Sequence, residues 1–352
     1  MTELVQLLSP EGERLEHPDY PLEITGEQVQ GLFRDMALAR RLDTEAMALQ
    51  RQGELGLWAP LLGQEAAQVG AARALAPEDY VFPSYREHAI ALARGITVTD
   101  LLKIWRGTEH GGWDADQVRM AGYAIVLGVQ TLHAVGYAMG VQRDGAAEAV
   151  LACFGDGASS QGDVNEAFVW AGAQNAPVVF LCQNNQFAIS APAETQSRVP
   201  LYRRASGFGF PGVRVDGNDV LASLAVMRAA LDRARAGEGP MMIEAFTYRM
   251  GAHTSSDDPT RYRASAELEA WRMKDPIERV RAYLTKNDLA DDAFFEAVDA
   301  EADDLGRQVR ADCRALPDPR PGAIYENVYA GAHAQLDEER AAFTSYLESF
   351  TG

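Results

Sequence analysis

Residues 149–185, AVLACFGDGASSQGDVNEAFVWAGAQNAPVVFLCQNN, contain two short apolar runs separated by a stretch of helical length. The first run ends at Gly155-Asp156-Gly157 and the second ends at Asn184-Asn185. Both runs are apolar throughout, as expected of strands that are buried on both faces of a parallel sheet. A strand, a helix and a strand with short connections predict a βαβ unit at the centre of the chain.

The rest of the chain extends this pattern. Further strands are predicted at 79–82, 213–215 and 241–247, and helices at 26–52, 64–75, 129–141, 162–175 and 219–236. This alternation predicts an α/β fold with a mostly parallel sheet flanked by helices. Residues 292–315 carry apolar side chains on one face and acids on the other, which predicts a surface helix. We expect three parts: an N-terminal arm and helices over 1–75, the α/β domain over 76–290, and a helical segment packed on the core over 291–352.

Composition excludes several classes of protein. The chain has 352 residues, with 51 acidic and 32 basic side chains and a formal charge of −19. Binding to nucleic acid or to an anionic membrane needs the opposite balance, so we expect neither partner. Three scattered cysteines cannot build a disulfide framework and are expected to be buried thiols in a reducing compartment. The first residues are acidic and predict no signal peptide, so we expect a cytoplasmic protein.

The two strand ends carry the residue types of a metal and phosphate site. The carboxyl ends of parallel strands share one edge of the sheet, where ligands of open α/β sheets bind. Asp156 and Asn185 would bring a carboxylate and an amide oxygen to that edge, and 26 residues separate Gly157 from Asn184. Such oxygens, together with phosphate oxygens, are typical ligands of Mg²⁺, and the following helix start offers amides to an anion. The spacing therefore predicts a site for Mg²⁺ and a diphosphate.

The prediction depends on the combination of these features. Gly-Asp-Gly and Asn-Asn are each common turns, and either one alone is more often structural than functional. The stretch lacks the GxGxxG of a nicotinamide-dependent Rossmann oxidoreductase and the Lys-Ser/Thr of a P-loop. A nicotinamide-dependent oxidoreductase is therefore a weaker alternative.

Gly-Asp-Gly followed at this distance by Asn-Asn resembles the thiamine diphosphate–Mg²⁺ motif. The string around it is similar to the alpha subunit of the first, decarboxylating component of 2-oxo acid dehydrogenase complexes. Four further segments resemble that family in the family's order: LLGQEAAQVGAA at 61–72, PSYREHAIALARG at 83–95, TYRMGAHTSSDDPTRYR at 247–263 and WRMKDP at 271–276. The resemblance covers roughly residues 25–345. It implies the thiamine diphosphate-binding fold with helical N- and C-terminal additions.

The resemblance implies which residues contact the cofactor. They are Tyr85, Arg86, Ile125, Leu127, Gly155, Asp156, Gly157, Ala158, Asn185 and His253. Among them, Gly157 and Ala158 would offer backbone amides to the diphosphate, and Arg86 would offer its guanidinium fork. The backbone at Ile125 and Leu127 would meet the aminopyrimidine.

Metal-binding and catalytic roles are implied in the same way. Asp156, the side chain of Asn185 and the backbone carbonyl of Phe187 would bind Mg²⁺. His253 would lie near the diphosphate and the reacting carbon, where an imidazole can stabilise charge or transfer a proton. His110 is a second candidate catalytic histidine.

The resemblance also implies partners. Catalysis in this superfamily needs a glutamate that hydrogen-bonds the aminopyrimidine, usually from a second α/β domain. About 75 residues before and about 60 residues after the α/β domain are too few for such a domain. We therefore expect a beta subunit to supply the glutamate in an α₂β₂ heterotetramer. The expected reaction is oxidative decarboxylation of a 2-oxo acid, with transfer of the acyl group to the lipoyl domain of a dihydrolipoyl acyltransferase.

The sequence leaves several substrates open. We expect pyruvate, with branched-chain 2-oxo acids such as 3-methyl-2-oxobutanoate, or acetoin, as alternatives. Only a few pocket residues separate these substrates, since one methylene contributes about 1–3 kcal/mol to discrimination. A catalytically inactive scaffold of the same fold is a further alternative, which the presence of Arg86, Asp156, Asn185 and His253 disfavours.

Overall fold

A computed structural model describes residues 4–109 and 111–350. The strands are β1 (Leu4–Val5), β2 (Tyr80–Phe82), β3 (Val150–Gly155), β4 (Val178–Asn184), β5 (Phe187–Ala188), β6 (Ala191–Pro192), β7 (Gly212–Asp216) and β8 (Met241–Phe246). The helices are α1 (Gly26–Arg51), α2 (Glu65–Ala74), α3 (His88–Ala93), α4 (Val98–Arg106), α5 (Ala115–Val118), α6 (Val129–Asp144), α7 (Gly162–Gln174), α8 (Arg204–Gly207), α9 (Val220–Arg235), α10 (Ser265–Arg272), α11 (Pro276–Lys286), α12 (Asp292–Ala315) and α13 (Ala334–Glu348).

Six strands form one parallel sheet in the order β1-β7-β8-β4-β3-β2. Its two faces are buried under separate layers of helices. On β4, Val179 and Leu181 belong to the apolar cluster that includes α1, α2 and α9. Val178 and Phe180 belong to the opposite cluster, which includes α6 and α7. The predicted α/β fold, with a parallel sheet flanked by helices, is therefore confirmed.

The strand register places the predicted motif at one edge of the sheet. Gly155 at the end of β3 is the partner of Gln183 on β4, and Asn184 is the partner of Phe246 on β8. The chain segments that follow these three strands therefore leave the sheet side by side. This register brings Asp156 and Asn185 to the same place although they are distant in sequence.

The N-terminal arm contributes more than its pattern predicts. Leu4–Val5 forms the edge strand β1 beside β7. The backbone amides of Leu7 and Leu8 donate to the buried carboxylate of Asp219 at 2.7 and 2.6 Å, which fixes the arm to the start of α9. A two-residue strand is too short for apolar alternation to reveal it.

The C-terminal helices differ in how they pack. Helix α12 lies against α1, where the rings of Phe33 and Phe295 meet edge to face at 5.2 Å. Helix α13 has no buried residue along its length, and Phe343 contacts Tyr325 of the preceding turn at 5.8 Å. The division of the chain into three parts stays a prediction. In the part of the chain that the structure describes, no helix is long and apolar enough to cross a bilayer.

Candidate active site

A cavity of about 380 Å³ opens at the carboxyl ends of β3 and β4. The residues predicted from the sequence to bind the cofactor or the metal all line this cavity: Tyr85, Arg86, Ile125, Leu127, Gly155, Asp156, Gly157, Ala158, Asn185, Phe187 and His253. His110, the second candidate catalytic histidine, lies outside the described residues. The roles of these residues stay predictions, but the structure places them around one space.

Oxygen atoms suited to a hard cation meet at this edge of the sheet. Asp156 is buried, and its Oδ2 has no hydrogen-bond partner among the described residues. Asn185 donates from Nδ2 to Oε1 of Gln64 at 3.1 Å. This bond orients the carboxamide, so that its Oδ1 faces away from Gln64. That Oδ1 accepts from the amide of Phe187 at 3.3 Å. Burial raises the pKa of Asp156 to about 6, because the ionised carboxylate is removed from the water that would solvate it. A buried orphan carboxylate oxygen beside an oriented carboxamide fits Mg²⁺.

The turn after β3 packs closely against the β5–β6 hairpin. A Cβ added at Gly157 would lie 2.7 Å from Cβ of Ala188, so only glycine fits between the turn and the β5–β6 hairpin. The amide of Ser159 donates to the carbonyl of Asp156 at 3.1 Å within a 3₁₀ turn, Gly157–Ser160, that precedes α7. The amides of Gly157 and Ala158 precede that bond, in the position where helix starts bind anions.

Arg86 is held in the cavity wall by two backbone carbonyls. Its Nη1 donates to the carbonyl of Pro60 at 2.6 Å, and its Nη2 donates to the carbonyl of His253 at 2.9 Å. The side chain is buried, so the guanidinium has a fixed position and a charge that is poorly screened. Its remaining N–H groups can donate to phosphate oxygens.

His253 is a neutral imidazole whose tautomer follows from its neighbours. Its Nδ1 lies 3.4 Å from Nη2 of Arg86 and 3.5 Å from Nη1 of Arg249. Because guanidinium groups only donate, Nδ1 must be the unprotonated nitrogen, and the proton sits on Nε2. Burial, and then the charges of Arg86 and Arg249, lower the pKa of His253 to about 3. The ring therefore offers an N–H donor rather than an imidazolium charge.

Arg249 is a residue of the site that sequence reasoning missed. It donates from Nη1 to the carbonyl of Phe187 at 2.9 Å and from Nη2 to the carbonyl of Ile189 at 2.6 Å. These bonds hold the β5–β6 hairpin over the cavity. The only signal in the sequence is the position of Arg249 in the segment that also contains His253, where an arginine looks like a solvated charge.

The mouth of the cavity is apolar and exposed. Ile125, Val126 and Leu127 are 59%, 72% and 40% exposed, and Ile189, between β5 and β6, is 54% exposed. Ile189 also has a φ of 57°, a conformation that β-branched residues rarely adopt. Exposed apolar side chains grouped in this way are typical of a surface that another protein covers. We call these four residues the cavity rim.

Comparison with known proteins is consistent with the geometry. The family model for the dehydrogenase E1 component matches residues 34–312. The chain is 45% identical, over 96% of its length and 94% of the relative's, to the 3-methyl-2-oxobutanoate dehydrogenase subunit alpha of Mycobacterium tuberculosis. It is 40% identical, over 82% of its length and 78% of each relative's, to the pyruvate dehydrogenase E1 component subunit alpha of Staphylococcus aureus and of Staphylococcus epidermidis.

Proposed function

The chain belongs to the dehydrogenase E1 component family, as the alpha subunit of a thiamine diphosphate-dependent 2-oxo acid dehydrogenase, and from this premise we propose a role for its cavity. In this proposal the cavity binds thiamine diphosphate with Mg²⁺ at an interface with a beta subunit. One observation supports this proposal most strongly. The predicted cofactor and metal residues line one cavity, and a buried oxygen of Asp156 is left without a hydrogen-bond partner there.

Asp156, the Oδ1 of Asn185 and the carbonyl of Phe187 would hold Mg²⁺. Arg86, with the amides of Gly157 and Ala158, would bind the diphosphate. Their fixed positions favour binding because little side-chain entropy is lost when the ligand arrives. Thiamine diphosphate, when bound, supplies the electron sink for decarboxylation of the 2-oxo acid.

His253 would act as a neutral donor. Its Nε2–H can hydrogen-bond a phosphate oxygen or a developing negative charge, while Arg86 and Arg249 keep Nδ1 unprotonated. Because the basic Nδ1 faces two guanidinium groups, the ring is proposed to stabilise developing charge by donating a hydrogen bond rather than by exchanging a proton. His110 is proposed as a second histidine of the active site on the resemblance alone.

A partner chain is needed to complete the site. The cavity rim leaves four large apolar side chains in water, which a beta subunit would bury. We propose that the beta subunit also supplies the glutamate for the aminopyrimidine, in an α₂β₂ assembly. The acyl group would then pass to the lipoyl domain of a dihydrolipoyl acyltransferase. The described cysteines are buried free thiols, which suits the cytoplasm as the site of this complex.

The proposed substrate is pyruvate, with 3-methyl-2-oxobutanoate as the alternative. The relatives include enzymes named for each of these acids. Part of the cavity is apolar, with Leu57, Ala59 and Trp105 in its wall, and an aliphatic acyl chain could pack there. The proposal therefore separates into a reaction class and a choice between two short 2-oxo acids.

The test is reduction of an artificial electron acceptor by the chain co-purified with its beta subunit. Each acid is assayed with and without thiamine diphosphate and Mg²⁺. Activity that depends on both additions supports the reaction class, and the ratio of the two kcat/KM values identifies the substrate. A complex that holds the cofactor but reduces the acceptor with neither acid would contradict the proposed substrate class.

A further inference from the structure

His88 lies buried behind the cavity, on α3, between two segments of its wall. Its Nε2 is 2.9 Å from the carbonyl oxygen of Ala59, and its Nδ1 is 2.8 Å from the hydroxyl of Tyr123. The ring stacks on Trp58 with centroids 4.2 Å apart. A single side chain thus contacts residues that are far apart in sequence and close to the cavity.

The contacts determine which nitrogen carries the proton. A carbonyl oxygen only accepts, so Nε2 of His88 must donate to Ala59. Nδ1 is then the acceptor, and the hydroxyl of Tyr123 donates to it. Burial lowers the pKa of His88 to about 3, so the ring stays neutral at physiological pH. Both ring nitrogens are occupied by these bonds, and neither is available to substrate.

The first wall segment, residues 57–60, is connected to the groups that would bind diphosphate. Its residues Leu57 and Ala59 line the cavity, and its Pro60 carbonyl accepts from Arg86. Trp58 also pairs with Ser255 of the loop that carries His253. The amide of Trp58 donates to Oγ of Ser255 at 3.0 Å, and the amide of Ser255 donates to the carbonyl of Trp58 at 2.8 Å.

The second wall segment, residues 123–127, contains the backbone that would meet the aminopyrimidine. Ile125, Val126 and Leu127 are exposed and contribute little packing of their own. The segment is attached at its start, where Tyr123 bonds to His88 and the amide of Ala124 donates to the carbonyl of Ser84 at 3.1 Å. The Tyr123–His88 bond therefore ties this segment to residues 57–60.

We propose that His88 is a positioning residue that couples the diphosphate side of the cavity to its aminopyrimidine side, and so sets the affinity for thiamine diphosphate. The inference rests on the proposed function, in which this cavity binds the cofactor. His88 touches neither substrate nor cofactor. It acts through the backbone of Ala59 and the side chain of Tyr123, which it holds at a fixed separation.

Three variants separate this role from simple packing. H88F keeps an aromatic ring against Trp58 but removes both hydrogen bonds. H88Q keeps one acceptor and one donor, since a carboxamide can accept from Tyr123 and donate to Ala59. Y123F removes a single hydroxyl and leaves Nδ1 of His88 without a donor. H17F makes the same chemical change at a histidine in the N-terminal arm and serves as the control.

The experiment measures the dissociation constant of thiamine diphosphate by calorimetry, at saturating Mg²⁺, on the chain assembled with its beta subunit. We expect H88F to weaken binding at least tenfold and Y123F roughly three- to thirtyfold, because the lost hydrogen bonds no longer hold the two wall segments in the arrangement that binds the cofactor. H88Q should stay within about threefold of wild type, and H17F should be unchanged. At saturating cofactor, the fold-change in kcat of H88F and Y123F should be smaller than the fold-change in their dissociation constant.

Two results have different meanings. If wild type fails to bind thiamine diphosphate with Mg²⁺, the proposed function is wrong. If wild type binds, and H88F or Y123F lowers thermal stability while the dissociation constant stays that of wild type, His88 is only a packing residue and the inference is overturned. Y123F, which removes one oxygen atom, keeps the test available if H88F does not assemble.

Discussion

We expect the buried carboxylate of Asp156 to destabilise the metal-free protein and to be required for metal binding. It is buried, and one of its oxygens has no hydrogen-bond partner among the described residues. The perturbation is D156N, which keeps the shape of the side chain and removes its charge. We expect this substitution to stabilise the metal-free complex and to abolish its stabilisation by thiamine diphosphate with Mg²⁺.

The size of the effect follows from the pKa. Burial raises the pKa of Asp156 from its ordinary 3.8 to about 6. A folded-state pKa above the unfolded value means that the fold disfavours the charged form, so the cost is present above pH 6 and vanishes as pH falls below about 4. A shift of about two units corresponds to about 3 kcal/mol at about 1.4 kcal/mol per unit. An imperfectly paired amide recovers less, so D156N should gain about 1–3 kcal/mol in free energy of unfolding at pH 8.

Thermal unfolding of the complex at pH 8 measures both effects. D156N should raise the melting temperature of the metal-free complex by roughly 1–4 °C. Adding Mg²⁺ and thiamine diphosphate at about 100 times the dissociation constant should stabilise wild type by about 2.7 kcal/mol and leave D156N unchanged. D163N, at an exposed acid in the first turn of α7, is the matched control and should behave as wild type.

Two outcomes would refute this reasoning. A metal-free D156N complex that melts below wild type would mean that the buried carboxylate stabilises the fold. A D156N complex that gains as much from Mg²⁺ and thiamine diphosphate as wild type would mean that Asp156 is not a metal ligand.

Further predictions concern the same cavity. G157A should weaken thiamine diphosphate binding at least tenfold by calorimetry, because its Cβ would meet Ala188 at 2.7 Å and shift the turn. G162A, which has open space, should bind normally. Equal binding by G157A would show that the close packing of Gly157 against Ala188 does not position the cofactor site. R86K should also raise the dissociation constant at least tenfold, since one ammonium cannot replace a fork that donates to two carbonyls and to phosphate; a wild-type value would contradict that role. The low pKa of His88, about 3 against the ordinary 6.5, favours protonation of the unfolded state, so the contribution of His88 to the melting temperature should fall as pH drops from 7 to 5. That fall should be smaller in H88Q, and identical pH profiles would show that His88 does not titrate on unfolding.

The parts of the fold that the sequence predicts are those with local patterns. β3 and β4 are built on short apolar runs that end at glycine and at Gln183-Asn184, and a stretch of helical length separates them. Because the two strands are parallel neighbours, their turn residues had to meet. The meeting of Asp156 and Asn185 at one cavity therefore follows from the spacing, and the roles proposed for them follow from the family resemblance.

Other parts of the site arise from contacts that no local pattern encodes. His88 binds residues 29 and 35 positions away in sequence, and Arg249 reaches carbonyls 60 or more positions away. Residues 57–60 have no regular secondary structure, so hydrophobic periodicity cannot predict their conformation. A buried histidine and a buried arginine look in sequence like the solvated residues that their types usually are. Their burial becomes evident only once the sheet has assembled the cavity.

The central claim is that two chains share one thiamine diphosphate site. The most direct measurement mixes the separately purified chain and its beta subunit, with the cofactor and Mg²⁺ saturating, and follows release of CO₂ from pyruvate and from 3-methyl-2-oxobutanoate. We predict that neither chain alone releases CO₂, and that activity appears on mixing and saturates at one beta subunit per chain. Release of CO₂ at the full rate by this chain alone would contradict the account.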